Sequence, residues 1–209
     1  MRITVLGASG NIGQRVTKLL LEHGHEVVAM VHSKDLPGLD SAKLHVIKGD
    51  VHNPGDINKA ISGSDAVVST LGSWGTKTKD IVAAATKNLI PAMQKAGINR
   101  FVSITGSGAC LPGEAKPISL ALTRLLLKTL QKPVLTDAEK HLRLLNESNL
   151  DWTALRSPVM TNKSLTSYVL RLKPFSPLAN ISRQAITIAL VEVIEKNTFS
   201  KQAPFISAK

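Results

Sequence analysis

Short apolar runs alternate with stretches of helical period along the whole chain. Residues Ile3–Leu6, Glu26–Val31, Leu44–Lys48, Ala66–Thr70, Phe101–Thr105 and Trp152–Leu155 have the length and composition of strands, the first of them a short buried one. Between them apolar positions recur every three or four residues, as at Val16, Leu19 and Leu20. This predicts helices over 11–22, 54–61, 79–95, 118–130, 137–147 and 183–195. A short last strand is expected around Pro204–Ser207. The alternation predicts an α/β fold: a doubly wound parallel sheet (Rossmann) with helices on both faces and a small C-terminal annex. With no repeat or linker, residues 1–209 read as one nucleotide-binding domain. The least regular part, about 157–181, carries Pro158, Pro174 and Pro177 and is expected to be a substrate-side loop.

The first strand runs into Gly7-Ala8-Ser9-Gly10-Asn11-Ile12-Gly13 and then directly into a helix that Gly24 closes. In such a strand–turn–helix Gly7 permits the sharp turn and Gly10 lets a pyrophosphate approach the backbone. Gly13 lets helix and strand pack closely. The N–H groups of Ser9, Asn11 and Ile12 and the positive end of the helix dipole then face the anion.

The other strand ends extend this candidate site. After the second strand comes His32-Ser33-Lys34, with no acid before Asp35. An acid there would bind the ribose 2′-hydroxyl of NAD, whereas this trio suits a 2′-phosphate, so NADP(H) is favoured over NAD(H). The plainer reading makes His32 and Lys34 solvated loop residues. Asp50 and Val51 follow the third strand; Asp50 has the chemistry to accept from an adenine amino group, or to serve as a turn or cap residue. Thr70, Leu71 and Gly72 end the fourth strand, and Thr105 and Ser107 end the fifth with hydroxyls in reach of a nicotinamide and a substrate carbonyl. Trp74 is a candidate for stacking on a planar substrate, or for packing on its loop. Arg156 either hydrogen-bonds carbonyls near the cofactor or meets an anionic substrate. Arg156 and Pro158 fall on the expected substrate side.

Composition narrows the chemistry. The chain is 43% apolar, has no apolar run approaching a bilayer span of about 20 residues, and starts on a strand rather than a leader. With Cys110 as the single cysteine, a reducing, cytoplasmic setting without membrane attachment is expected. The formal charge is +11, and no acid occurs between Asp151 and Glu192. Such a surface collects anions, but only 3% of residues are aromatic, which disfavours base stacking on nucleic acid. A small anionic or planar acceptor is the expected partner, for a monomer or homodimer. Histidines 23, 25, 32, 45, 52 and 141 show no ligand-like spacing with cysteines or carboxylates, so no metal is expected.

Four motifs carry a family resemblance: Gly7 to Gly13, Gly49-Asp50-Val51, Asp65 to Gly72, and Leu150 to Pro158. Over nearly the whole chain they resemble the atypical short-chain dehydrogenases/reductases, in their NmrA-like branch. Within it they are most similar to the biliverdin-IXβ reductase/flavin reductase type. The resemblance implies NADPH binding and hydride transfer to a flavin or similar acceptor. Two departures stand out. The superfamily's Tyr-x-x-x-Lys pair is missing: Thr136 precedes Lys140, and Leu172 follows Tyr168. Val159 stands where the biliverdin-type reductases carry a histidine. The first departure raises an alternative: a non-catalytic NADP(H)-binding redox sensor.

Overall fold

The structure is a computed structural model; it describes residues 1–74, 76, 78–114, 121, 124, 125, 129 and 131–209. Its core is an eight-stranded sheet of order β3-β2-β1-β4-β5-β6-β10-β8. The strands are β1 (Arg2–Leu6), β2 (Glu26–Val31), β3 (Leu44–Lys48), β4 (Ala66–Ser69), β5 (Arg100–Gly106), β6 (Asp151–Ser157), β8 (Tyr168–Arg171) and β10 (Phe205–Ala208). All neighbours run parallel except β8, which lies antiparallel to β10 at the edge. The doubly wound expectation is borne out. The order reverses at β1, where Ile3 pairs with Val27 on one side and with Ala66 on the other. That reversal opens a crevice at the carboxyl ends of β1 and β4, the usual ligand position in open α/β sheets.

Helices cover both faces, and the sheet needs both because β1, β2 and β4 are buried on each side. On one face lie α1 (Asn11–Glu22) and the helix Arg183–Glu195, which interlock through Val16, Leu20, Ile186 and Leu190. On the other lie α2 (Pro54–Ile61), α3 (Ile81–Ala96) and α4 (Lys132–Glu147), with Ile57, Leu89, Met93, Leu142 and Leu145 inside. The helix Arg183–Glu195 is α5. Among the described residues no helix is long and apolar enough to cross a membrane.

Three expectations are corrected. Helix α3 starts at Ile81 rather than Lys79, and α4 starts at Lys132 rather than Asp137, with Pro133 in its first turn. There proline's fixed φ helps and its missing N–H costs nothing. The segment 157–181 is not one loop. It holds β8 and two three-residue strands, β7 (Val159–Thr161) and β9 (Asn180–Ser182), which pair with each other. The helix expected over 118–130 falls largely outside the described residues.

A buried polar network ties α3, α4 and β5 together. The Thr86 hydroxyl donates to the Val82 carbonyl at 2.7 Å, so its oxygen accepts from Nδ1–H of His141, also at 2.7 Å. Nε2 of His141 then accepts from the Ser103 hydroxyl at 2.9 Å. The imidazole is fully buried and has no carboxylate partner, so burial holds its pKa down at about 4. The unfolded chain binds this proton near the ordinary value of about 6.5. Stability is therefore complete above that value and is lost as pH falls toward 4. Urea unfolding should show a loss of about 2 kcal/mol between pH 6.5 and 5 from this group alone. His141→Gln should remove that component of the pH slope; an unchanged slope would refute the assignment.

Candidate functional site

The glycine motif builds an open anion cradle. Gly7 turns the chain at φ +74°, a region that side chains disfavour. A Cβ at Gly13 would sit 2.1 Å from the Gly7 carbonyl oxygen, so only glycine permits this approach of α1 to the end of β1. The Thr70 hydroxyl donates to the carbonyls of Leu6 and Gly7 at 3.0 and 3.2 Å, pinning the turn from the neighbouring strand. Leu71 packs over Gly7, and Gly72 has open space where a Cβ would be. Thr70 thus braces the turn with its hydroxyl rather than presenting it to a ligand.

The start of α1 is left electrically unfilled. Its N-cap is Gly10, no side chain caps it, and no acid occupies its first turn. The Gly10 N–H donates to Gly7 and the Gln14 N–H to Gly10. Between them the N–H groups of Asn11, Ile12 and Gly13 have no acceptor among the described residues, and neither has that of Ser9. Four orphan donors and a bare dipole end at a strand carboxyl edge fit a phosphate-bearing group.

The remaining strand ends surround this cradle. His32 projects beyond β2 with 73% of its side chain exposed, and Ser33 and Lys34 are exposed beside it. Nε2 of His32 is 4.0 Å from Oδ2 of Asp50. Oδ1 of Asp50 accepts from the backbone N–H and from Nδ1 of His52, each at 2.9 Å. These two bonds hold the Asp50 carboxyl below its ordinary pKa, while His52 is pushed up, mainly by the bond to Asp50. Val51 is buried, and its carbonyl accepts from the Asn88 amide at 3.0 Å. The Thr105 hydroxyl, at the end of β5, has no partner among the described residues. Ser107 is half-buried; with Pro158, Phe175, Ser176, Ala179, Phe205 and Ile206 it lines a small cleft. Trp74 is 66% exposed.

A model of the NAD(P)H-binding family matches residues 7–197, from the first glycine of the cradle to the end of the α5 region. The chain belongs to that family. Among curated proteins, a 3-beta-hydroxysteroid dehydrogenase of Mycolicibacterium neoaurum is 32% identical over 126 residues, 54% of this chain and 34% of that one. The chain spans about a third of the length of the first curated relatives it matches. Among solved structures, a short-chain dehydrogenase/reductase from Veillonella parvula in complex with NADP superposes with a TM-score of 0.81. It covers 99% of this chain and 94% of its own at 22% identity. ChuY, an anaerobillin reductase from Escherichia coli O157:H7, superposes with a TM-score of 0.80. The identity is 19%, over 99% of this chain and 97% of that one. The expected NAD(P)H-binding family is borne out by the family match, and the expected fold by these structures.

Within this NAD(P)H-binding protein Arg156 follows the carbonyl-bonding alternative, and its placement on the substrate side is corrected. Arg156 does not reach the substrate side: it is 2% exposed, and Nε donates to the Ala203 carbonyl at 2.7 Å. Nη1 pairs with Glu114 at 2.7 Å, and the guanidinium lies 3.7 Å over the Phe205 ring. These contacts make it a strut between β6, β10 and the segment after β5. Several histidines pair with carboxylates far away in the chain. His23 and His25 both bond Oε1 of Glu195, at 2.8 and 2.7 Å, and His45 lies 2.9 Å from Glu26. Partners 19 to 172 residues away leave no spacing signal. Only His52, two residues after Asp50, carried a local cue: an Asp-x-His turn. At the β8 edge, burial and Glu192 push the Tyr168 hydroxyl up to about 12.

Gly13→Ala should cost about 1–3 kcal/mol in urea unfolding, because the new methyl must drive α1 off the turn. Wild-type stability in that variant would contradict the close approach.

Proposed function

We propose that this protein is an NADPH-dependent oxidoreductase that transfers hydride to a small planar or carbonyl acceptor, with an oxidised flavin as the leading substrate. The single observation that carries the cofactor half is the uncapped start of α1, framed by Gly7, Gly10 and Gly13 beside the strand-order reversal. The four free N–H groups would hold the pyrophosphate. His32, Ser33 and Lys34 would take the 2′-phosphate, since no acid precedes Asp35 to favour a bare ribose. Oδ2 of Asp50, not engaged by His52, is available to the adenine amino group. Bound NADPH supplies the hydride.

The acceptor half rests on what lines the carboxyl edge. Trp74 offers an exposed ring, and Thr105 and Ser107 offer hydroxyls. The cleft by Pro158 is walled by Phe175 and Phe205. Lys140 and Thr136 are both exposed on α4, and an aliphatic hydroxyl is too weak an acid to replace the family's tyrosine. Flavin reduction tolerates this, because solvent can supply the remaining proton once the rings are stacked. The names of relatives, a 3-beta-hydroxysteroid dehydrogenase, a 2-alkyl-3-oxoalkanoate reductase and an anaerobillin reductase, support oxidoreduction without selecting a substrate. The same lack of an acidic hydroxyl favours a second reading, a non-catalytic NADP(H) sensor.

NADPH oxidation with FMN, FAD and quinones separates the two. Turnover supports the reductase; cofactor binding without turnover on this panel supports the sensor. Gly10→Val should abolish NADPH binding while the fold survives, since a Cβ there meets nothing nearer than the Gly7 oxygen at 3.2 Å. Undiminished affinity would refute the cradle. Replacing His32 and Lys34 by alanine should weaken NADPH about tenfold or more while leaving NADH nearly unchanged, as expected for lost charge-assisted bonds. Equal losses would refute 2′-phosphate recognition.

A further inference from the structure

Asp80 is the N-cap residue of α3, yet its side chain does not cap that helix. The seat is taken by Asp137 of α4, whose carboxylate accepts from the N–H groups of Val82 and Ala83 at 3.2 and 2.8 Å and from the Ser73 hydroxyl. Displaced from its own helix, Asp80 lies with Oδ1 3.7 Å from Nε2 of His52. The other ring nitrogen of His52 is on Asp50. One imidazole therefore spans two carboxylates, one at the end of β3 and one at the start of α3.

The corner that carries Asp50 is rigid on every other side. Its N–H donates to Asp56 at 2.9 Å, its carbonyl accepts from the Asn53 N–H at 2.9 Å, and Asn53 caps α2 through Gly55. The freedom left to Asp50 is rotation of its carboxylate. His52 removes it with two donors on one oxygen, Oδ1. Oδ2 is left facing the space toward His32. The backbone and side-chain bonds from His52 hold the Asp50 carboxyl below its ordinary range, and an ionised carboxylate is an acceptor with no proton to donate.

We propose that His52 is a positioning residue for base recognition: by holding Oδ1 of Asp50 it commits Oδ2 to the exocyclic amino group of an adenine, and so sets a preference for adenine over a 6-oxo purine. The inference rests on the NADPH reading above. An amino group gives the fixed carboxylate a hydrogen bond; a carbonyl in the same place sets lone pair against lone pair. Without the imidazole Oδ1 keeps only the backbone N–H of residue 52, so the carboxylate rotates more freely or takes up water, and the discrimination fades. Asp80 keeps the imidazole from swinging away.

The test is calorimetric titration with NADPH and with its deaminated analogue, nicotinamide hypoxanthine dinucleotide phosphate. Wild type should prefer NADPH by about tenfold or more, the worth of one charge-assisted hydrogen bond. His52→Ala should shrink that ratio to about threefold or less, an energy of under 1 kcal/mol. His52→Asn, whose amide nitrogen stands near the place of Nδ1, should restore most of it. In an Asp50→Ala background His52→Ala should change the ratio no further. A merely structural role for His52 would lower both affinities together and leave the ratio alone, and that result overturns the proposal. Wild type binding NADPH without discrimination overturns it too, and spares the cofactor reading. Wild type binding neither dinucleotide overturns both.

Discussion

The contact on which the molecule depends is the approach of the first turn of α1 to the end of β1, where Gly13 faces the Gly7 carbonyl with no room for a methyl between them. Helix α1 has to lay Val16 and Leu20 on the sheet and against α5, yet begin directly above the carboxyl end of the central strand. Both demands are met only if helix and turn touch backbone to backbone. Thr70, from the adjacent strand, secures the same turn by bonding Leu6 and Gly7. The result is a helix whose first N–H groups are aimed at the crevice and satisfied by nothing among the described residues. An uncapped helix start costs stability unless a ligand or water fills it, so the cradle stores part of the affinity for an anion.

The second constraint acts from the opposite face. Helix α4 carries Asp137 and His141 one turn apart, both buried. One carboxylate satisfies the start of α3, and one imidazole joins α3 to β5 through Thr86 and Ser103. Burial raises the Asp137 carboxyl above its usual range, while the α3 N–H groups and Ser73 pull it back. The arrangement fixes where the 71–80 segment, with Trp74, returns to the helix layer. It also frees Asp80 for His52, so the stability of one layer shapes the electrostatics of the crevice beside Asp50.

Much of the architecture was legible from pattern. The strands over 3–6, 26–31 and 44–48 and the helices over 11–22, 54–61 and 183–195 match the structure to within a residue. Buried strands such as β1 and β2 and two-sided helix layers impose apolar runs that little else produces, while the half-exposed β3 keeps only part of that signal. Boundaries slipped where a distant group decided them. Helix α3 starts at Ile81 because Asp137 caps it, and nothing near residue 80 announces a partner 55 residues away. The segment after β6 reads as a loop because strands of three or four residues at a sheet's edge are too short to establish a period.

The site divides along the same line. The glycines of the cradle were visible because each meets a local backbone demand: a positive φ, a bare helix start, a carbonyl too near for a side chain. Arg156 was not, since an arginine in sequence gives no sign of whether it reaches solvent or, as here, lies under Phe205 and on Glu114. The sequence by itself determined the alternation of elements, the turn that an anion can enter and the absence of an early acid after β2, all consequences of interactions within a dozen residues. Only the tertiary structure decided which charges meet: His23 and His25 on Glu195, Asp137 on α3, His52 between Asp50 and Asp80. Electrostatic partners are chosen by distance through space, and a linear chain does not record that distance.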